Sequence, residues 1–428
     1  MKGLIFTYVM TYGGAVAAIF NPFIGLLVYV GFSILMPDEL WAGSVPRGNY
    51  SRIVAVGMLG GWLMGGLGNW KLGQARTVVL LLFGLWAWTA ASAFQAPNQE
   101  VGWGFVEKVS KTYLPFLVGI TTLNSVKRLK QLAWTIIICE GYLALEFNIS
   151  YFQGYNRLWM QGFGPMDNNC NAIALVTCTG LALGAGLYEN KWWSSAIGFA
   201  STFLLTHAIL FSFSRGGMLG LGTMGLVTFI LMPKRPKFCL AACFSILMVA
   251  MLAGPKVVER FTSSFADEQG RMESSAQSRL DLWRNCIDVM WKNPVFGAGP
   301  EHWPLLANSY GWPEGKEAHT LWLAIGAELG VPGLALLASF YLVCMFRLWR
   351  LIRAEDELED PWLAHGGRMV IASLCGFAVS AQFVSIRTLE HPYYVMLLGA
   401  GILKLSLLHH YDGLFFDESD IEYQHQPA

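Results

Sequence analysis

The sequence predicts an all-α fold: a polytopic transmembrane helix bundle of about twelve to fourteen spans, with one large loop on its outer face. Three observations carry that prediction. Of 428 residues, 54% are hydrophobic and only 14% are charged, against roughly a quarter charged in an average soluble domain. The mean hydropathy is +0.44. The apolar residues also fall in long blocks, rather than in the alternating or 3.6-residue patterns of a half-wet domain. An ordinary soluble enzyme is thereby excluded. Lys plus Arg and Asp plus Glu each number 29, so no net field points to nucleic acid as a partner.

A spanning helix needs about 20 mostly apolar residues. Along the chain that ruler marks thirteen candidates: 3–20, 22–36, 53–69, 77–94, 109–123, 129–148, 170–188, 192–213, 216–233, 238–254, 318–346, 368–386 and 391–408. The first two meet at Asn21-Pro22 and form either a tight hairpin or one broken element. Gly3 to Phe20 runs directly into more apolar sequence instead of a small-residue cleavage site, so a retained segment is expected there. Of eight Cys, six (Cys139, Cys178, Cys239, Cys243, Cys344, Cys375) lie inside apolar blocks, and no CxxC occurs. Neither a disulfide framework nor a thiolate metal site is supported.

Orientation follows from Lys and Arg, which cytoplasmic loops retain during insertion. Lys127/Arg128/Lys130, Lys234/Arg235/Lys237 and Arg347/Arg350/Arg353, with weaker clusters at Lys71/Arg76 and Lys191, all fall on one side when the spans are threaded in order. The chain then divides into N-terminal spans (1–254), a large outer loop (255–317), C-terminal spans (318–408) and an acidic cytoplasmic tail (409–428), all within one integral membrane domain. The other outer segments are 37–52, 95–108, 149–169 and 387–390. The large loop is too long to be a mere connection. It contains an amphipathic helix expected over Ser275–Trp291, with Leu280, Leu282, Trp283, Ile287 and Met290 as its apolar side, suited to lying along the membrane surface.

Ionisable residues at membrane depth or at span mouths are costly and therefore functional candidates. Three groups collect on the outer face. Arg215 precedes Gly216 and Gly217, which let a ligand or another backbone approach closely. A fixed guanidinium there suits a diphosphate, although an arginine snorkelling to lipid phosphates has the same sequence. Arg279 and Arg284, five apart, diverge by about 140° on a helix, and surface charge explains them as readily. His319 opens the eleventh span, where a neutral imidazole can accept a proton near pH 7, or can simply face headgroups. Glu328 lies two and a half turns on, on the opposite face, and does not orient His319. Asp167, Asn168 and Asn169 close an outer loop and suit either sugar hydroxyls or an Asx cap. Arg387, Glu390 and His391 sit on the last outer loop, where they line a cleft or form a local ion pair. Glu140 and Glu146 in the sixth span and His207 in the eighth read as interhelical glue.

Together the residues resemble a family. Ser214-Arg215-Gly216-Gly217, then Ser278-Arg279-Leu280-Asp281-Leu282-Trp283 running to Asn293-Pro294-Val295-Phe296-Gly297-Ala298-Gly299, then His319-Thr320, nine residues and Gly330-Val331-Pro332-Gly333 resemble the O-antigen ligase and polymerase superfamily of bacterial inner membranes. Thr320 stands where that pattern usually has Asn, Ser or Gln. Asn21-Pro22-Phe23-Ile24-Gly25-Leu26, Met36-Pro37, Lys127-Arg128-Leu129 and Gly164-Pro165-Met166-Asp167-Asn168-Asn169 are similar to one branch, the O-glycosylation ligases of exosortase A-associated systems.

The resemblance implies transfer of a glycan from an undecaprenyl diphosphate carrier to a glycan, lipid or protein acceptor on the periplasmic side, with inversion and without a metal ion or other cofactor. It implies His319 as general base on the acceptor hydroxyl, with Arg215, Arg279 and Arg284 binding the diphosphate. Asp167, Asn168, Asn169, Arg387 and His391 remain as possible substrate contacts. Such chemistry needs a counter-charge for the leaving group and a base, and arginine can replace magnesium in the first role. A polymerase of the same superfamily is the alternative. A lipid-linked glycan transporter fits less well, because the chain shows no repeated halves or midplane charges.

Overall fold

The computed structural model describes residues 1–234 and 274–406, together with seven isolated positions between 236 and 259. The expected tenth span (238–254), the loop up to residue 273 apart from those positions, and the acidic tail lie outside the described residues. The helices are α1 (Lys2–Phe20), α2 (Pro22–Leu35), α3 (Tyr50–Met64), α4 (Arg76–Gln95), α5 (Gln99–Thr122), α6 (Val126–Phe152), α7 (Asn168–Tyr188), α8 (Trp192–Phe211), α9 (Arg215–Leu231), α10 (Ser274–Lys292), α11 (Leu321–Arg353), α12 (Trp362–Ser380) and α13 (His391–Leu405).

Among the described residues, eight helices are long and apolar enough to cross a membrane: α1, α2 with its extension to Leu40, α4, α6, α7, α8, α11 and α12. Four further expected spans coincide with helices that fall short of that standard for identifiable reasons. Helices α3, α9 and α13 have only 15, 17 and 15 residues. The outer half of α5 carries Glu100, Glu107, Lys108 and Lys111.

Asn21 resolves the N-terminal ambiguity. Its backbone is extended (φ −142°), so α1 stops there; its side chain accepts from the Phe23 N–H at 3.2 Å, and Pro22 fills the first position of α2. One residue thus ends one helix and caps the next. The hairpin packs on α3 through small residues. A Cβ on Gly57 would lie 2.5 Å from the Ala15 carbonyl oxygen, and one on Gly61 would lie 2.4 Å from that of Ala18. Close backbone approach of this kind is how helices associate where burial from water gives no drive. The same device joins α9 to α12, where a Cβ on Gly220 would lie 2.7 Å from the Gly376 carbonyl oxygen.

Segments expected to share a membrane face do meet at one end of the bundle. At the end with the basic clusters, Lys404 donates to the carbonyls of Asn69 (3.1 Å) and Ile120 (2.7 Å), Arg128 to Thr122 (2.5 Å), and Arg347 to Gln74 and Thr77. Arg368 there pairs with Glu355 at 2.6 Å and donates to the Leu231 carbonyl at 3.1 Å. At the opposite end, 36–51, 165–170, 301, 317–319 and 384–391 surround one cleft.

The amphipathic helix is present as α10, but its buried face is rotated from the expected one. Leu282, Cys286 and Val289 are buried, whereas Ile287 is 38% exposed. The stripe runs at i, i+4 and i+7, the spacing of a helical face. It seats on Ala324 and Ala327 of α11 and on Trp303. The helix therefore packs on the bundle through that stripe.

Candidate active site

The site is built around a break in α11. Expected as one run from 318, this helix begins at Leu321 and is interrupted at Gly330, whose φ of 71° and ψ of −175° belong to a region essentially reserved for glycine. A break leaves carbonyls without helical partners, and here each finds one. Ala298 N donates to Ala327 O (2.9 Å), Gly299 N to Glu328 O (3.0 Å), and Trp88 Nε1 to Leu329 O (2.9 Å). Ser92 bridges Phe296 O (2.7 Å) and Glu328 O (3.2 Å). The second half starts with Val331 N donating to Pro294 O at 2.9 Å, and Pro332 follows where no N–H is required. The Asn293–Gly299 motif is thus the cap of a broken helix.

His319 stands just ahead of the first half, in the left-handed region (φ 53°), where non-glycine residues are uncommon. The next residue anchors it: Thr320 is buried, and its N–H donates to Ser385 Oγ at 3.3 Å. Burial pushes the His319 imidazole down to about 4, the positive charges of Lys316 and Arg279 push the same way, and Asp167 opposes them. The ring is therefore neutral at pH 7, with a lone pair to accept a proton. It lines a cleft of about 720 Å³ together with Asp167, Arg387 and His391.

The arginines separate. Arg279 lies close enough to His319 to depress its basicity. Arg284 does not join it; the side chain is 71% exposed and pairs with Asp281 at 2.9 Å, as the divergence on a helix requires. Arg215 is the first residue of α9, half-buried behind Ser214, whose Oγ caps the Gly217 N–H at 3.2 Å. A Cβ on neighbouring Gly216 would lie 3.0 Å from Phe383, which also faces Trp283 of α10 with ring centroids 6.5 Å apart. Two residues beyond Phe383, Ser385 holds Thr320. The 380–388 segment is therefore the junction on which α9, α10 and the His319 turn meet.

Asp167 accepts from Cys170 N (2.8 Å) and caps α7; Asn168 donates to Ser212 O (2.8 Å), and Asn169 to Asp167 Oδ2 (3.3 Å). These contacts are those of a cap, and among the three only Asp167 lines the cleft.

Of the two readings of Arg387, Glu390 and His391, all three line the cleft, and in place of a local ion pair their partners come from other helices. Arg387 pairs with Glu328 at 2.8 Å, with 6% and 1% of the two side chains exposed. His391 Nε2 meets Glu140 Oε1 at 2.7 Å, and Glu390 accepts from the hydroxyls of Tyr29, Ser33 and Tyr394. Glu140 joins two helices, as its reading as interhelical glue had it, whereas the part played by Glu328 was missed. Its signal was present, since an acid inside an apolar run needs a partner; the sequence does not say which of several distant cations supplies it. Arg387→Ala leaves Glu328 buried without its partner and is expected to destabilise the protein by about 3–5 kcal/mol. Unfolding titrations in detergent measure this, and the double variant Arg387→Ala/Glu328→Gln should recover part of the loss.

Fold and site together define a multi-pass helical membrane protein whose matched region supports an enzyme of ligase or polymerase type. Residues 200–338 match the family described as O-antigen ligase (Wzy_C), which supports the superfamily, and residues 1–155 match a family of unknown function (DUF5935). The ligase match contains Arg215, Arg279, His319, Gly330 and Gly333. An uncharacterized protein of Haemophilus influenzae is 25% identical over 141 residues, 30% of this chain. The chain covers 35% of the length of that curated relative.

Proposed function

We propose that the protein is a bacterial inner-membrane glycosyltransferase that moves a glycan from undecaprenyl diphosphate to an acceptor hydroxyl on the periplasmic face, inverting the anomeric centre without a metal ion. One observation carries this reading: a neutral imidazole, His319, lines a large cleft with Arg279 close beside it. In the proposed step His319 takes the acceptor hydroxyl proton, the hydroxyl oxygen bonds to the anomeric carbon, and the bond to the diphosphate oxygen breaks with its electron pair. Arg279 and Arg215 hold the departing charge, because a preformed counter-charge lowers the barrier only where charge develops. Arg284, paired with Asp281 in solvent, is left out of this set. The distribution of Lys and Arg over the loops supports a cleft on the periplasmic side.

The N-terminal stretches similar to the exosortase-associated O-glycosylation ligases favour a ligase over a polymerase. The test is incubation of the protein in proteoliposomes with lipid-linked glycan alone and then with an acceptor fraction, each with and without chelator. Transfer that requires the acceptor and survives chelator is expected. Chain growth on the carrier alone identifies a polymerase, and movement of intact donor across the bilayer identifies a transporter. Arg215→Lys keeps the charge but loses the two-pronged fork, so transfer is expected to fall at least tenfold in the same assay.

A further inference from the structure

The cleft beside His319 has a lopsided charge. Its lining includes six carboxylates, Asp38, Glu39, Asp167, Glu301, Glu317 and Glu390, against one guanidinium, Arg387, which Glu328 already holds at 2.8 Å. Arg47, Lys108 and Arg387 reach three of the acids, Glu39 at 3.9 Å, Glu301 at 2.7 Å and Glu317 at 4.0 Å. Among the described residues that line the cleft, a negative excess remains. Arg215 and Arg279 are not among the lining residues.

A second observation points to a hydroxyl-bearing occupant. Nδ1 of His391 and Nε of Arg387 are buried and have no hydrogen-bond partner, on two side chains that line the cleft. Nε–H of Arg387 is a donor, and Nδ1 of His391, whose Nε2 meets Glu140, is a second polar atom without a partner. A hydroxyl both donates and accepts, so it can meet either atom, and leaving such atoms unmade is costly. A phosphate would face the surrounding carboxylates.

We propose that this cleft is the acceptor subsite and that it selects hydroxyl-bearing acceptors that are neutral or positively charged around the reacting hydroxyl, excluding phosphorylated ones. Like-charge juxtaposition is the usual means by which a site rejects a wrong partner. The proposal rests on the reading of His319 as the base, but charge selection can be measured without turnover.

The experiment uses the full chain in detergent or proteoliposomes, with three forms of one disaccharide: neutral, amine-bearing and phosphorylated. Binding is read from the shift in thermal midpoint at matched concentrations, and transfer from lipid-linked donor in parallel. The neutral and amine forms are expected to stabilise the protein, with the phosphorylated form at least tenfold weaker. In Glu39→Gln/Glu317→Gln, which changes two partly exposed acids, the discrimination should narrow. Equal or tighter binding of the phosphorylated form overturns the proposal, as does absence of binding by all three. Binding discrimination without any transfer would retain the charge selection and count against the transferase reading instead.

Discussion

His319→Ala is expected to abolish glycan transfer, by about 10²–10⁴-fold for loss of a general base, while the protein remains inserted and folded. Two features make the outcome interpretable. The residue has a positive φ, which Asn tolerates better than Ala, so His319→Asn removes the base while keeping the turn. Both variants should be inactive and only the alanine one measurably less stable. Near-normal activity in either would remove His319 from the chemistry. The pH dependence follows from its depressed basicity. With the imidazole pushed down to about 4, kcat/KM should hold from neutral pH until the pH falls through about 4. A bound diphosphate brings negative charge beside the ring and raises its pKa, so the acidic limb of kcat should lie at higher pH than that of kcat/KM. Coincident limbs at the ordinary histidine value would contradict the buried setting. Stability carries the same sign. The unfolded chain binds this proton first, so the group's contribution is present above about pH 6.5 and is lost as pH falls toward about 4.

Gly330→Ala is the second large expected effect. Its φ and ψ cost an L-residue about 1–3 kcal/mol, and its Cβ would lie 2.2 Å from the Val295 carbonyl oxygen. Relief requires moving the Asn293–Gly299 cap, with the loss of hydrogen bonds worth about 0.5–1.5 kcal/mol each. A destabilisation on the order of 3 kcal/mol or more is expected, together with loss of transfer, because the cap and the His319 turn share α11. Gly222→Ala is the control, since nothing lies within 4 Å of a Cβ there. It should shift the thermal midpoint little or slightly upward.

Much of the bundle was legible because lipid permits few solutions. Length and apolarity mark spans, and Asn21-Pro22 announces a stop followed by a cap. Of the basic clusters, Arg128 and Arg347 bond to carbonyls of neighbouring loops at one end of the bundle. Single-residue decisions were less visible. A glycine inside an apolar run is compatible with a continuous helix, so the break at Gly330 shows only once Pro294 and Val295 are seen pressing on it. The rotated face of α10 escaped because Cys286 and Val289 carry no stronger apolar signal than Ile287. Of the site, His319, Arg279, Asp167 and Arg387 were all within reach of sequence reasoning. The pairing of Arg387 with Glu328, 59 residues apart, was not, because side-chain partners across helices depend on packing angles that local pattern does not encode.

The break in α11 also bears on how the protein meets its bilayer. From Val331 to Arg353 the helix is about 34 Å long at 1.5 Å per residue, enough to match a hydrocarbon core of about 30 Å unaided. The preceding two and a half turns, roughly 14 Å from Leu321 to Leu329, are surplus to that crossing and are gripped by α10, Trp303 and the 293–299 cap instead. The imidazole thus takes its place from protein contacts on the first half of the helix rather than from the stretch long enough to cross the lipid.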